Sequence, residues 1–140
     1  MWSFEHETTT AAPRETIWSV WKDVADWPQW DDGIEEVTLN GEFAVGATGK
    51  LKPSGGPRFP FEVTEIKDGH AFTDVTKLPL ARLTFAHELR DGDQQGETTI
   101  FQRISIEGPL TFLWSRVIGK DLKKDVPGTM RSLAEYAEAK

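Results

Sequence analysis

The chain has 140 residues and no cysteine, which excludes disulfide scaffolds, thiolate metal sites and a cysteine nucleophile. Sixteen Lys and Arg stand against 23 Asp and Glu, a net charge of −7 that argues against nucleic acid as a partner. No run reaches the roughly 18 apolar residues needed to span a bilayer, so membrane insertion is not expected.

The opening MWSFEHETTT lacks the basic-then-apolar order of a secretory leader, and the expectation is a cytoplasmic protein forming one domain over 1–140. Trp2, Phe4 and His6 alternate with Ser3, Glu5 and Glu7, a period of two that predicts a strand over 2–10. Pro13 suits the first turn of a helix, and Ile17, Val20, Trp21 and Val24 recur at helical spacing, which predicts a helix over 13–24. Trp27-Pro28 interrupts it, and Asp26 is placed to cap a second, one-turn helix ending at Trp30.

From Ile34 to Glu107 turn signals recur: Asn40-Gly41, Pro53 to Pro57, Asp68-Gly69, Leu78-Pro79-Leu80 and Asp91 to Gly96. Between them lie short segments rich in Val, Ile, Thr and Phe, the pattern of about six antiparallel strands joined by hairpins. The last third carries one apolar stripe from Leu110 to Ala137, a helix long enough to cross the whole sheet, with Pro127 expected to kink or restart it. The order is β-α-α-β6-α. It predicts an α+β fold, an approximately seven-stranded curved antiparallel sheet wrapped around the long C-terminal helix. Only that helix has the length and the stripe to cover the concave face. A cavity remains between them wherever side chains fail to fill it.

Hairpin parity says which side chains face inward. A two-residue turn at Asp68-Gly69 sets Val63 opposite Asp74 and Glu65 opposite Phe72, so Phe72, Asp74 and Thr76 share the inner face with Val63. In the next strand Ala81, Leu83, Phe85, His87 and Leu89 form the apolar side, with His87 its single polar member. An odd pairing sum near 189 keeps Ile100, Ile104 and Ile106 inside and sets His87 opposite Gln102, and Asp74 falls opposite or diagonal to His87. Asp74, His87 and Gln102 then point together into an apolar concavity. A carboxylate near an imidazole fixes its tautomer and raises its pKa, which prepares either a hydrogen-bond handle or a general base. The alternative is that His87 and Gln102 merely satisfy each other in a closed core. Phe61, Phe72, Leu83, Phe85 and Ile104 form the expected floor, and Trp114, Val117, Ile118 and Leu122, with Phe112, Val126 and Met130, the expected roof. Trp18, Trp21, Trp27 and Trp30 read either as an aromatic gate at the open end of the sheet or, more simply, as core.

No metal or other cofactor is expected. His6, His70 and His87 have no short ligand spacing, and the acidic run Asp31 to Glu36 lacks the alternating carboxylates of a calcium loop. Gly46-Ala47-Thr48-Gly49-Lys50 lacks the remaining residues of a phosphate loop, and no serine sits in a nucleophile elbow.

Four segments carry a resemblance: APRETIWSVWKDVADWPQWDDGIE, FAVGATGKL, FTDVTKLPLARLTFAHEL and IEGPLTFLW with LKKDVPGTMRSLAEYAE. Over essentially its whole length the chain resembles the SRPBCC or START-like helix-grip superfamily, which includes the Bet v 1 allergens and polyketide cyclase/dehydrase-like proteins. The resemblance implies the fold and leaves the chemistry open, since members carry lipids, bind hormones or polyketides, or catalyse cyclisation. Three functions follow as expectations. The first is binding of a small hydrophobic molecule (lipid, isoprenoid or aromatic polyketide) oriented by Asp74, His87 and Gln102. The second is a cofactor-independent cyclase or dehydrase with His87 as base and Asp74 as its helper. The third is a protein-interaction module with a collapsed cavity. The ligand and the oligomeric state, monomer or homodimer, are not written in the sequence.

Overall fold

A computed structural model describes residues 1–140. Seven strands form one antiparallel sheet: β1 (Trp2–Thr10), β2 (Ile34–Leu39), β3 (Thr48–Pro53), β4 (Phe59–Lys67), β5 (Ala71–Leu78), β6 (Ala81–Asp91) and β7 (Thr98–Glu107). Their order across the sheet is β1-β7-β6-β5-β4-β3-β2, so the first strand closes one edge against the last. An antiparallel sheet this wide twists and curls. The result is the half-barrel of a helix-grip fold.

Helix α1 (Arg14–Lys22) follows β1, with Pro13 at its N-cap in extended conformation. Its stripe buries Ile17, Trp18, Val20 and Trp21. The second short helix is a 3₁₀ segment, Val24–Gln29, entered at Asp23 and not at Asp26, and it carries Pro28 inside. The indole of Trp27 in this segment donates to the Trp21 carbonyl at 2.9 Å, fastening it under α1. Trp18, Trp21 and Trp27 are all buried, so they are core; Trp30 alone of the four is half-buried.

The C-terminal rod runs as α2 (Thr111–Trp114), a π-turn (Ser115–Gly119) and α3 (Lys120–Glu138), without a break. It does not restart at Pro127, which lies inside α3; the irregularity sits nearer the start of the rod, at the π-turn. A Cβ on Gly119 would stand 3.0 Å from the Trp2 ring, so the rod crosses β1 at that point on bare backbone. Val126, Met130, Leu133, Ala134 and Ala137 of α3 are buried against the sheet and α1. Two covers therefore share the concave face, α1 and the rod, whereas the stripe pattern assigns it to the rod alone.

Candidate functional site

Register decides the site. In β6 and β7, His87 pairs with Gln102, Phe85 with Ile104 and Leu83 with Ile106. Across β5 and β6 the two-residue turn Pro79-Leu80 sets Phe72 opposite His87 and Asp74 opposite Phe85. Asp74 is thus diagonal to His87 on the same face.

The β4–β5 hairpin departs from its expected pairing. Its turn holds three residues, Asp68 to His70, with Gly69 at φ 77°, and Lys67 pairs with Ala71. Ile66, not Glu65, then lies opposite Phe72. A bulge between Val63 and Glu65 takes up the extra residue and restores Val63 opposite Asp74. Because the bulge absorbs the slip, Phe72 and Asp74 still face the concavity and Glu65 stays exposed.

The row through His87 has one more polar member. On β1, His6 pairs with Gln102, so His6, Gln102, His87 and Phe72 lie side by side across four strands. His6 is half-buried on the same face. The alternation of residues 2–10 already places it with Trp2 and Phe4; what the pattern lacks is the pairing of β1 with β7.

Burial varies within this face in an informative way. Ile100 and Ile104 flank Gln102 and are almost fully enclosed, as are Leu89 and Leu83 beyond His87. Phe85, His87 and Gln102 among them are only half-buried. On β6 and β7 accessible surface is retained at His87, Gln102 and the neighbouring Phe85, and lost on either side of them.

Of the expected floor, Phe61, Phe72, Leu83 and Ile104 are buried and Phe85 is half-buried. Of the expected roof, Trp114, Ile118 and Leu122 are half-buried, and Val126 and Met130 are buried. Val117 and Phe112 are corrections: both are more than half exposed and do not line the site. Both sit at the start of the rod, Phe112 before the π-turn and Val117 within it. On the other side, Trp21 of α1 closes on the polar row, its ring centre 5.4 Å from His87 and 5.3 Å from Phe72.

The imidazole of His87 stacks on Phe72 at 4.1 Å with only 6° between the planes. Its Nδ1 lies 3.3 Å from the Phe72 carbonyl oxygen, an acceptor. That contact assigns the proton to Nδ1 and leaves Nε2 an acceptor. Burial pushes the imidazole pKa down to about 4, against the smaller upward pull of that carbonyl. Burial alone pushes Asp74 up to about 8. Both groups are therefore uncharged at neutral pH, and no hydrogen bond joins them. The carboxylate–imidazolium partnership expected from the sequence does not form, because the diagonal spacing separates the two groups and desolvation penalises both charges. The Nε1 donor of Trp21 is buried without an acceptor.

No Lys or Arg projects from this face. The inward residues of β5, β6 and β7 are Phe72, Asp74, Thr76 and Leu78, then Ala81, Leu83, Phe85, His87 and Leu89, then Thr98, Ile100, Gln102, Ile104 and Ile106. Two depressions open elsewhere on the surface. One of about 260 Å³ lies between Thr9, Thr10, Glu138 and the Gln94–Glu97 turn, and one of about 410 Å³ lies beside Trp2, Arg116, Lys120 and Lys123. Neither is lined by Asp74, His87 or Gln102.

A family model described as polyketide cyclase / dehydrase and lipid transport matches residues 1–138. The chain belongs to this family. No curated protein matches it in sequence. Among solved structures it is similar to a START superfamily protein from Mycobacterium smegmatis, at 16% identity and a TM-score of 0.74, covering 98% of this chain and 97% of that one. Ara h 8.0201 is similar at 16% identity and a TM-score of 0.72, with 99% of both chains covered. Norcoclaurine synthase from Thalictrum flavum, solved with dopamine and hydroxybenzaldehyde, is similar at 11% identity and a TM-score of 0.74, covering 99% of this chain and 87% of that chain. At these identities the three establish the shared helix-grip fold. Family and fold together point to a domain for hydrophobic ligands.

Proposed function

We propose that the protein binds a small, predominantly apolar molecule carrying one uncharged hydrogen-bonding group, held between the curved sheet and its two helical covers. The carrying observation is the row His6, Gln102 and His87, which with the neighbouring Phe85 keeps accessible surface in the middle of a face whose other β6 and β7 residues are enclosed. Apolar walls supply affinity and a few convergent polar groups fix orientation. On this reading Nε2 of His87 accepts a hydrogen bond from a ligand hydroxyl, and Gln102 offers both a donor and an acceptor. Asp74, protonated at neutral pH, contributes a second hydroxyl-like group. A carboxylate or phosphate buried here would meet no Lys or Arg, at a cost of several kcal/mol.

Native mass spectrometry of protein from its own cells tests this reading, with His87→Ala beside the unaltered chain. The expected result is a co-purifying neutral molecule whose affinity falls by about 1–3 kcal/mol in the variant, the cost of stranding a buried partner. An unaltered chain that carries nothing and takes up no hydrophobic probe overturns the proposal.

One observation favours a second reading. Asp74 and His87 have pKa values pushed in opposite directions, the environment that separates an acid from a base. In an enzyme of the cyclase or dehydrase kind, Asp74 would then be the proton donor and His87 a weak base, the reverse of the helper role expected of Asp74 from the sequence. Such an enzyme loses turnover by about 10²–10⁴-fold in Asp74→Asn while still holding ligand. A binding module shows no turnover to lose.

A further inference from the structure

Four of the six exposed large apolar side chains crowd one end of the molecule: Leu80 in the β5–β6 turn, and Phe112, Leu113 and Val117 at the start of the C-terminal rod. Their exposures are 66%, 65%, 43% and 54% in that order. The two elements are fastened together there. The Leu110 amide donates to the Leu80 carbonyl at 3.1 Å, and the Trp114 indole donates to the Pro79 carbonyl at 2.9 Å. Leu80 is also held at φ 55°, a left-handed conformation that favours glycine or asparagine, yet the position presents an apolar side chain to solvent. Apolar residues scattered singly need no explanation, but a group of them on one rim does.

The charges beside this rim are unlike those of the rest of the surface. Between Thr111 and Lys124 the chain carries Arg116, Lys120, Lys123 and Lys124 against the single carboxylate of Asp121, in a chain of net charge −7. All four cations are exposed, and none has a carboxylate within ion-pair distance. Elsewhere Arg58, Arg82, Arg90 and Arg103 are each paired, while Lys22, Lys50, Lys67, Lys77, Arg131 and Lys140 also lack a partner, so what sets this stretch apart is its local excess of cations over carboxylates. Arg116, Lys120 and Lys123 gather around the Trp2 ring, with Lys123 Nζ 5.7 Å from its centre, and with Ser115 they line the depression of about 410 Å³. On the opposite flank of the rod Asp125 faces Asp31, whose carboxyl is pushed up to about 6 first by burial and further by Asp32 and Asp125.

We propose that this end docks on a membrane surface rich in anionic lipid. Leu80, Phe112, Leu113 and Val117 enter the boundary between headgroups and acyl chains, and Arg116, Lys120, Lys123 and Lys124 meet lipid phosphates. Trp2 belongs at the same level, an aromatic body among polar heads. The acidic remainder of the molecule is repelled by the same surface, so only this end is turned towards it. The inference stands apart from the ligand reading, because the docking surface includes none of His6, Asp74, His87 and Gln102 and meets the inner face only at Trp2, on its edge.

Co-sedimentation of the full chain with phosphatidylcholine vesicles, and with vesicles enriched in phosphatidylglycerol, is the test. Binding is expected to the anionic vesicles, weakened by high salt and lost in Phe112→Asp/Val117→Asp. Lys120→Glu/Lys123→Glu is expected to lower partitioning at least about 25-fold, at about fivefold per cation removed. Lys22→Glu/Lys67→Glu changes net charge equally at exposed positions away from this end and should bind as the unaltered chain does. Thermal melting of each variant verifies that it is folded. Failure of the unaltered chain to sediment with anionic vesicles overturns the proposal. So does equal loss in the two lysine pairs, which reduces the effect to overall charge. A dimer in size-exclusion light scattering that Phe112→Asp dissolves also overturns it, since a second copy then covers the rim.

Discussion

Asp74 and His87 lie diagonally on one sheet face and are both held neutral, and this has a consequence for stability as well as for binding. Asp74 has a folded pKa raised to about 8, while the unfolded chain ionises near the ordinary carboxylate value of 3.8. Between those values the folded state holds a proton that the unfolded state has released, so stability is full in acid and falls as pH rises. His87, lowered to about 4 from 6.5, works in the opposite direction: its contribution is full above 6.5 and falls as the solution is acidified towards 4. Above pH 6.5 the histidine is neutral in both states and Asp31, with a folded pKa of about 6, is largely ionised in both. Only Asp74 is left. Denaturant unfolding of the unaltered chain should therefore show stability declining by about 2 kcal/mol from pH 6.5 to pH 8, and Asp74→Asn should remove that decline. A decline of the same size in the variant would mean that Asp74 ionises normally.

The residues of the site are legible in the sequence to different degrees. His87 and Gln102 are readable as partners because an odd pairing sum near 189 keeps three isoleucines of β7 inside, whereas a one-residue slip turns them out. The neutral state of Asp74 and His87 is not readable, because it depends on depth and on a diagonal spacing that a strand pattern does not contain. His6 escapes for a different reason. Its inward side is plain from alternation, but which strand it joins is a long-range choice made by topology.

Elements are more legible than their irregularities. The six strands after Ile34, the short helix after β1 and the long final rod all follow from period and punctuation. The bulge in β4 and the π-turn at Ser115–Gly119 do not, since each inserts one residue that the hydrophobic period does not mark. Pro127 misleads in the opposite direction, breaking the expected pattern but not the helix. The two glycines of the rod separate local preference from packing. A Cβ on Gly128 would meet nothing within 4 Å, whereas one on Gly119 would press on Trp2. Gly128→Ala should therefore stabilise the fold by about 0.5–1 kcal/mol through helix propensity. Gly119→Ala gains the same propensity but crowds the Trp2 ring at 3.0 Å, and should stabilise less than Gly128→Ala does. Chemical denaturation of the two variants measures both. Equal effects would mean that the rod does not rest on β1 at Gly119.

At the scale of the whole molecule, the protein separates its polar tasks. The inner face carries hydrogen-bonding groups and no Lys or Arg, while a local excess of cations and four exposed apolar residues share one rim of the rod. A ligand drawn to the inner face is selected for lacking charge, whatever the rim attracts. The most direct measurement is a calorimetric titration at pH 7 with a matched pair of long-chain ligands, a primary alcohol and the carboxylate of the same length. The alcohol should bind at least about tenfold more tightly, and His87→Ala should narrow the gap, because a buried carboxylate on this face has no partner. Equal affinity for the two, or no binding of either, would contradict the account.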